Sequence, residues 1–221
     1  MKAMSGRAAV LWTCFFALSA LLLMVAGFSV WDQPVLTAVR DGYGKELKNT
    51  ARALSRYGDF PFLLGAGVLV LWFMLRRPRR EWARIVTAML LAGVVAGMAS
   101  NVMKLGTGRV RPRVDEVQHG WYGPRHEGRW VTLQHAFQGF PSSHAACAFG
   151  FFYPLFLSRR GWGTVGLLAA AAIAWSRVQL NAHHISDVAA GAFLGFVAGW
   201  IVWRWIVERG GLARWLGPPQ A

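Results

Sequence analysis

Three short stretches of this chain carry residue types that could handle phosphate: Lys104 to Pro112 (KLGTGRVRP), Pro141 to His144 (PSSH) and Ser176 to Asp187 (SRVQLNAHHISD). The cations Lys104, Arg111 and Arg177 can hold an anion, and a helix-start turn at Ser142 and Ser143 can offer unpaired backbone N–H groups to it. His183 and Asp187 are four residues apart, so on one helix they share a face and the carboxylate can reach a ring nitrogen, fixing the tautomer. The other ring nitrogen then presents a lone pair that can attack phosphorus. His144 is placed to protonate the oxygen that leaves. His184 competes for the nucleophile's role but faces another side of the helix, and it reads as a neighbour of the site. Taken singly, each stretch has a plainer reading: a histidine near a helix start, a capped helix, a basic patch against lipid. Together they are the parts of one phosphate-handling site.

The elements that must position these parts are apolar. The chain has 221 residues, 55% of them hydrophobic, with 12 tryptophans, which is too much apolar surface for a small soluble core and points to the bilayer as solvent. Segments near 8–30, 60–76, 83–103 and 187–207 approach the roughly 20 residues that a crossing requires. The shorter runs 143–158 and 162–176 complete six transmembrane helices if their polar ends face protein. The spacing of Val35, Leu36, Val39, Leu47, Ala51 and Leu54 predicts an interfacial amphipathic helix between the first two crossings. Gly106 to Phe140 shows neither a helical nor a strand period. No repeat or linker divides residues 1–221, so the chain reads as an all-α, single-domain membrane bundle.

The net charge of +14 would raise nucleic acid as a partner in a soluble protein, but no nucleic-acid motif accompanies it. The basic clusters Arg76 to Arg84 and Arg159 to Arg160 instead lie in short loops between apolar runs. They place those loops and both termini on the cytoplasmic face, and threading the helices in order then puts all three polar stretches on the outer face. The N-terminal run after Lys2 and Arg7 is longer than a signal core and reads as a retained first helix. Cys14 and Cys147 are too few for a disulfide framework.

The pattern K-x6-RP, PSxH and SR-x5-H-x3-D resembles that of the type 2 phosphatidic acid phosphatase superfamily, integral membrane lipid phosphatases that share a helical core with vanadium haloperoxidases. The matching positions are Lys104, Arg111 and Pro112; Pro141, Ser142 and His144; and Ser176, Arg177, His183 and Asp187. The resemblance implies that Lys104, Arg111 and Arg177 bind phosphate with Ser142, Ser143 and the nearby N–H groups. It also implies that His183 forms a phosphohistidine supported by Asp187, that His144 is the general acid, and that no metal or cofactor takes part. The family's glycine in the second motif is Ser143 here, which alters the turn and adds a hydroxyl.

The implied substrate is a lipid phosphate or diphosphate: phosphatidic acid, phosphatidylglycerol phosphate, polyprenyl diphosphate or lipid A phosphate. The setting would be a bacterial inner membrane, with the site on the outer or periplasmic side. The loop 114–140, with His119, Trp121, Tyr122, Arg125, His126, Trp130 and His135, is expected to shape headgroup choice. Two rival readings use the same cations: vanadate-dependent halide oxidation, and a non-catalytic protein or transporter that collects anionic lipid. The residues leave oligomeric state open.

Overall fold

A computed structural model describes residues 4–42, 45–76 and 80–212, and these are mostly helical. In chain order the helices are α1 (Gly6–Ala26), α2 (Asp32–Gly42), α3 (Lys45–Tyr57), α4 (Phe60–Leu75), α5 (Arg80–Thr107), α6 (Ser143–Ser158), α7 (Arg160–Gln179) and α8 (Ile185–Trp203). Lys2, residues 77–79 of the basic loop and the chain beyond Leu212 lie outside the described residues.

The helix starts follow local chemistry. Ser5 caps α1 by accepting the Ala8 N–H at 3.4 Å, and Asp59 caps α4 by accepting the Phe60 N–H at 2.8 Å. Pro61 in the first turn of α4 has no N–H to leave unpaired. The stretch expected to hold one amphipathic helix instead contains two, α2 and α3. A π-helical turn, Gly27–Trp31, carries α1 directly into α2, so Gly6–Arg40 runs as one apolar length of 35 residues.

Among the described residues, Gly6–Arg40, Arg80–Thr107 and Ile185–Glu208 are long and apolar enough to cross a membrane; the α3 and α4 pair, bent by 52°, adds a fourth if it counts as one span. Helix α6, with 16 residues, rises only about 24 Å at 1.5 Å per residue, short of a typical hydrocarbon core.

Helices α5, α6 and α8 pack together at the centre, with α1 against α8, α7 against α6, and α4 against α5. Their contacts are built from small residues such as Ala92, Ala96, Ala146 and Ala192, which let backbones approach closely. At Gly191 the approach of α8 to α6 is close: a Cβ there would lie 2.4 Å from the Ser142 carbonyl oxygen. Large apolar side chains point outward from α1 and α4, as with Leu11 and Leu69, consistent with lipid as their surroundings.

One end of the bundle joins Arg159 to Glu81 at 2.5 Å and the Met4 N–H to the Leu157 carbonyl, so the two basic loops and the start of the chain share that end. The three polar stretches sit at the other. The connection 106–140 is more ordered than its sequence suggests. Backbone bonds pair residues 107–110 with 120–123, a two-stranded hairpin (β1, Arg125–His126; β2, Arg129–Trp130) projects from it, and Val110, Val131 and Phe137 form a core of its own. Gly108 makes the crossing possible. Its φ is +59°, and a Cβ there would lie 1.9 Å from the Gly123 carbonyl oxygen.

Candidate active site

The end of α5 brings in the first cation. Lys104 lies in its last two turns, the helix stops at Thr107, and the left-handed turn at Gly108 swings the following residues back so that Arg111 reaches the same place. Arg177 arrives from the last turn of α7. All three guanidinium or ammonium groups line one cavity of about 330 Å³, together with Ser143, His144 and His183. Six of the eight residues singled out by their spacing therefore meet in one place.

Two of the cations are buried, Arg177 is half-buried, and all three are short of negative charge. Lys104 is 6% exposed and Arg111 5%. Lys104 donates to the Ser143 hydroxyl, Arg177 to the Ser55 hydroxyl, and Arg111 to the carbonyls of His135 (2.9 Å) and Ala182 (3.5 Å). Among the described residues none of the three has a carboxylate ion-pair partner, and the buried Arg177 Nε has no hydrogen-bond partner at all. Burial, then Arg113 and Arg177, draws the Arg111 guanidinium down to about 10. Burying charge of one sign this way is costly unless an anion joins it.

Helix α6 points its start at the same cavity. Ser142 is its cap, accepting the Ala145 N–H at 3.5 Å, so Pro141 precedes the helix and does not occupy its first turn. The N–H groups of Ser143 and His144 have no partner among the described residues. Ser142 itself is fully buried: its hydroxyl serves the cap, its N–H donates to the Asp187 carbonyl at 2.9 Å, and it does not line the cavity. Ser143 has a helical backbone with negative φ, so the turn needs no glycine there. Its hydroxyl accepts from Lys104 and donates to Asn101 Oδ1 at 2.9 Å.

His183 sits just before α8, in the turn that follows α7, and is 2% exposed. Its Nδ1 lies 2.7 Å from the Gly139 carbonyl oxygen, an acceptor only, so Nδ1 carries the proton and Nε2 keeps its lone pair. This corrects the expectation that Asp187 fixes the tautomer. Asp187 Oδ2 is 3.7 Å from Nδ1, beyond a hydrogen bond, because α8 begins at Ile185 and His183 lies outside its helical face. Burial holds His183 down at about 3, with Arg111 and Arg177 adding to the effect and Asp187 opposing it, so the ring is neutral at ordinary pH.

Asp187 is fully buried behind the histidine as the third residue of α8, where Oδ2 accepts the His184 N–H at 2.8 Å. Its other oxygen accepts from Arg109 Nη1 at 2.5 Å. Arg109 also donates to Ser186 Oγ (2.6 Å) and to Asp32 Oδ2 (2.7 Å), and lies against the rings of Phe28 and Trp121, with centroids 5.0 and 4.9 Å away. Asp32 in turn accepts the N–H and hydroxyl of Ser186. The charge of Arg109 is therefore spent on two carboxylates, and the residue belongs to the scaffold behind the cavity.

His135, from the 106–140 connection, lines the cavity too. Its carbonyl takes Arg111, and its Nδ1 accepts from Arg113 at 3.0 Å. Loss of water contact, then Arg111 and Arg113, pushes its ring down to about 4.

Spacing did not reveal Gly139, Asp59, Ser55, Asn101 or the Asp32 and Arg109 pair. Asp59 alone had a local sign, an aspartate immediately ahead of a Phe-Pro helix start.

Known proteins place this arrangement. Lipid A 1-phosphatase of Rhizobium etli is 27% identical over 198 residues, 84% of this chain and 79% of that protein. Lipid phosphate phosphatase 1 of Arabidopsis thaliana is 26% identical over 168 residues, 66% of this chain but only 51% of its own length. The crystal structure of Aquifex aeolicus LpxE superposes with a TM-score of 0.57 at 17% identity, covering 77% of this chain and 93% of that one. A transmembrane PAP2 type phosphatidylglycerolphosphate phosphatase from Bacillus subtilis gives 0.60 at 20% identity, covering 86% and 93%. These two share the fold. The family model of the PAP2 superfamily matches residues 81–210, a range that holds the three motifs and the four central helices from α5 to α8, and the chain belongs to that superfamily.

Proposed function

We propose that this protein is a membrane lipid phosphatase that hydrolyses a lipid phosphate or diphosphate through a phosphohistidine on His183. The observation that carries the reading is a neutral, buried histidine whose proton is held by the Gly139 carbonyl, set among three cations, two of them buried, that have no carboxylate partner among the described residues. A phosphate there would meet Lys104, Arg111, Arg177 and the free N–H groups at the start of α6, which hold its charge as it grows in the transition state.

His183 Nε2 forms a bond to phosphorus as the bond to the leaving oxygen breaks, and His144 gives that oxygen its proton. The phosphorylated ring becomes cationic. Asp187, 3.7 Å from Nδ1, stabilises that charge through space. His144 then takes a proton from water, the oxygen of which displaces His183 from phosphorus, and inorganic phosphate leaves.

A lipid substrate is supported by the relatives and by the cavity wall. On the side of α4 and α5 the lining is apolar, with Phe60, Val94 and Met98, and Met98 is 63% exposed at the bundle surface. Phosphatidic acid, phosphatidylglycerol phosphate, polyprenyl diphosphate and lipid A phosphate all fit a headgroup in the cations with its chains outside. Six crossings, with α6 and α7 completing the set, would put the basic loops in the cytoplasm and this site on the outer face of a bacterial inner membrane.

The test is phosphate release from those four lipids by purified protein in detergent, with ³²P-labelled substrate to trap an acid-labile phosphoenzyme. Turnover of at least one lipid is expected, with both label and turnover lost in His183→Ala. Undiminished activity in His183→Ala would overturn the mechanism, and inertness toward the whole panel would overturn the function.

A further inference from the structure

The cavity has one carboxylate in its lining, and the proposed mechanism does not use it. Asp59 stands at the junction of α3 and α4, with Oδ1 fixed by the Phe60 N–H at 2.8 Å and lying 3.3 Å from His144 Nε2. A negative charge is out of place in a pocket built for phosphate, since it repels the ligand and weakens the field of the cations. It needs a task that outweighs that cost.

His144 supplies the task. The charged groups facing it are Arg177 from α7, Lys104 from α5, Arg111 from the outer connection, and Asp59 alone with the opposite sign. An imidazole among three cations has little reason to keep a second proton, yet an acid must carry one to give. It must also aim a ring nitrogen at the leaving oxygen, although it hangs from the first turn of α6 with a side chain 21% exposed and no other side-chain ion-pair or hydrogen-bond partner among the described residues.

We propose that Asp59 is a positioning residue for the general acid: its carboxylate, 3.3 Å from Nε2, orients the His144 ring and favours the proton that the ring delivers to the leaving oxygen. The site then contains two aspartate and histidine pairs with opposite duties. Asp187 lies behind a histidine that must start neutral, and Asp59 beside one that must start charged. The side chain of Asp59 is 48% exposed, so the pair can recover its proton from water at the cavity mouth.

The inference rests on the phosphatase reading, and a pair of substrates separates the two. Dioctanoyl phosphatidic acid releases dioctanoylglycerol as an alkoxide that needs a proton. Its analogue with sulfur in the bridging position releases the corresponding thiolate, which does not. In Asp59→Asn, kcat on the oxygen ester is expected to fall about 10- to 100-fold, within the range that general acid catalysis supplies. The loss on the sulfur ester should stay within about threefold, and Asp59→Glu should restore part of the oxygen-ester rate. Inhibition by inorganic phosphate checks that the anion pocket survives. Equal losses on both esters, or none on either, would overturn the assignment while leaving the phosphatase reading intact. Wild-type protein inert on both esters and on the lipid panel would remove that reading, and this inference with it.

Discussion

Replacing Arg109 by methionine distinguishes a scaffold from a ligand. The change removes bonds to Asp187 (2.5 Å), Ser186 (2.6 Å) and Asp32 (2.7 Å), and leaves two carboxylates whose side chains are 0% and 7% exposed. Stranding one partner of a buried ion pair costs about 3–5 kcal/mol. Two acids are stranded here, but Asp32 keeps both donors of Ser186 and Asp187 keeps the His184 N–H, so the same range serves for the pair. At about 2–4 °C per kcal/mol for a chain of this size, the midpoint of thermal unfolding should fall by about 6–20 °C. Tryptophan fluorescence in detergent reads this directly, since the chain has 12 indoles. Adding Asp32→Asn should recover at least about 1 kcal/mol by removing one of the unpaired charges. Inhibition by phosphate or vanadate, measured below the lowered midpoint, should change little because Arg109 does not line the cavity. A variant that unfolds with the wild type and binds these anions tenfold more weakly would refute the reasoning and return Arg109 to the phosphate.

Other consequences are open to simpler measurements. Because burial keeps His183 near 3, below the ordinary value of about 6.5, the folded protein binds fewer protons than the unfolded chain between those values. Its contribution to stability is complete above about pH 6.5 and is lost as pH falls toward 3. At pH 5 an ordinary imidazole is only about 3% neutral, so phosphoenzyme formation from the bridging-sulfur ester should stay within about threefold of its rate at pH 7; a fall near 30-fold would contradict a buried nucleophile. Gly191→Ala should cost about 1–3 kcal/mol and lower kcat, since its methyl would meet the Ser142 carbonyl at 2.4 Å and push α8 away from α6; unchanged melting would mean that the helices part easily. Ser143→Gly should cost under about 1 kcal/mol, because the helical backbone there suits either residue. It should raise KM by less than about fivefold, and complete inactivation would show that the hydroxyl holding Lys104 is indispensable.

The sequence displayed what is periodic or local. His183 and Asp187 stand four apart, Ser142 precedes a helix, glycines follow Lys104, and apolar runs outline α5 and α8; each can be read within a dozen residues. Contacts that close over long separations left no such trace. Arg109 meets Ser186 across 77 positions and Asp32 meets Ser186 across 154, and nothing in the alternation of apolar and polar residues links them. The Gly139 carbonyl is a backbone atom that every residue has, so its selection by His183 depends on the path of the 106–140 connection. The same path explains why Gly106 to Phe140 looked irregular: its order comes from turns, a short hairpin and a small core, none long enough to produce a period.

Two bonds that join residues 139–142, at the approach to α6, with the third motif have a mechanical meaning. The Gly139 carbonyl holds the His183 ring, and the Ser142 N–H holds the Asp187 carbonyl. With Gly191 pressed against Ser142, they fasten the start of α6 to the start of α8. His183 and His144 are thus held from one packed base formed by α6 and α8. Ser55 and Asp59 reach Arg177 and His144 from the side of α3 and α4, which packs in turn on α7 and α5. On the proposed reading, the separation of nucleophile and acid is set within the protein before a headgroup enters.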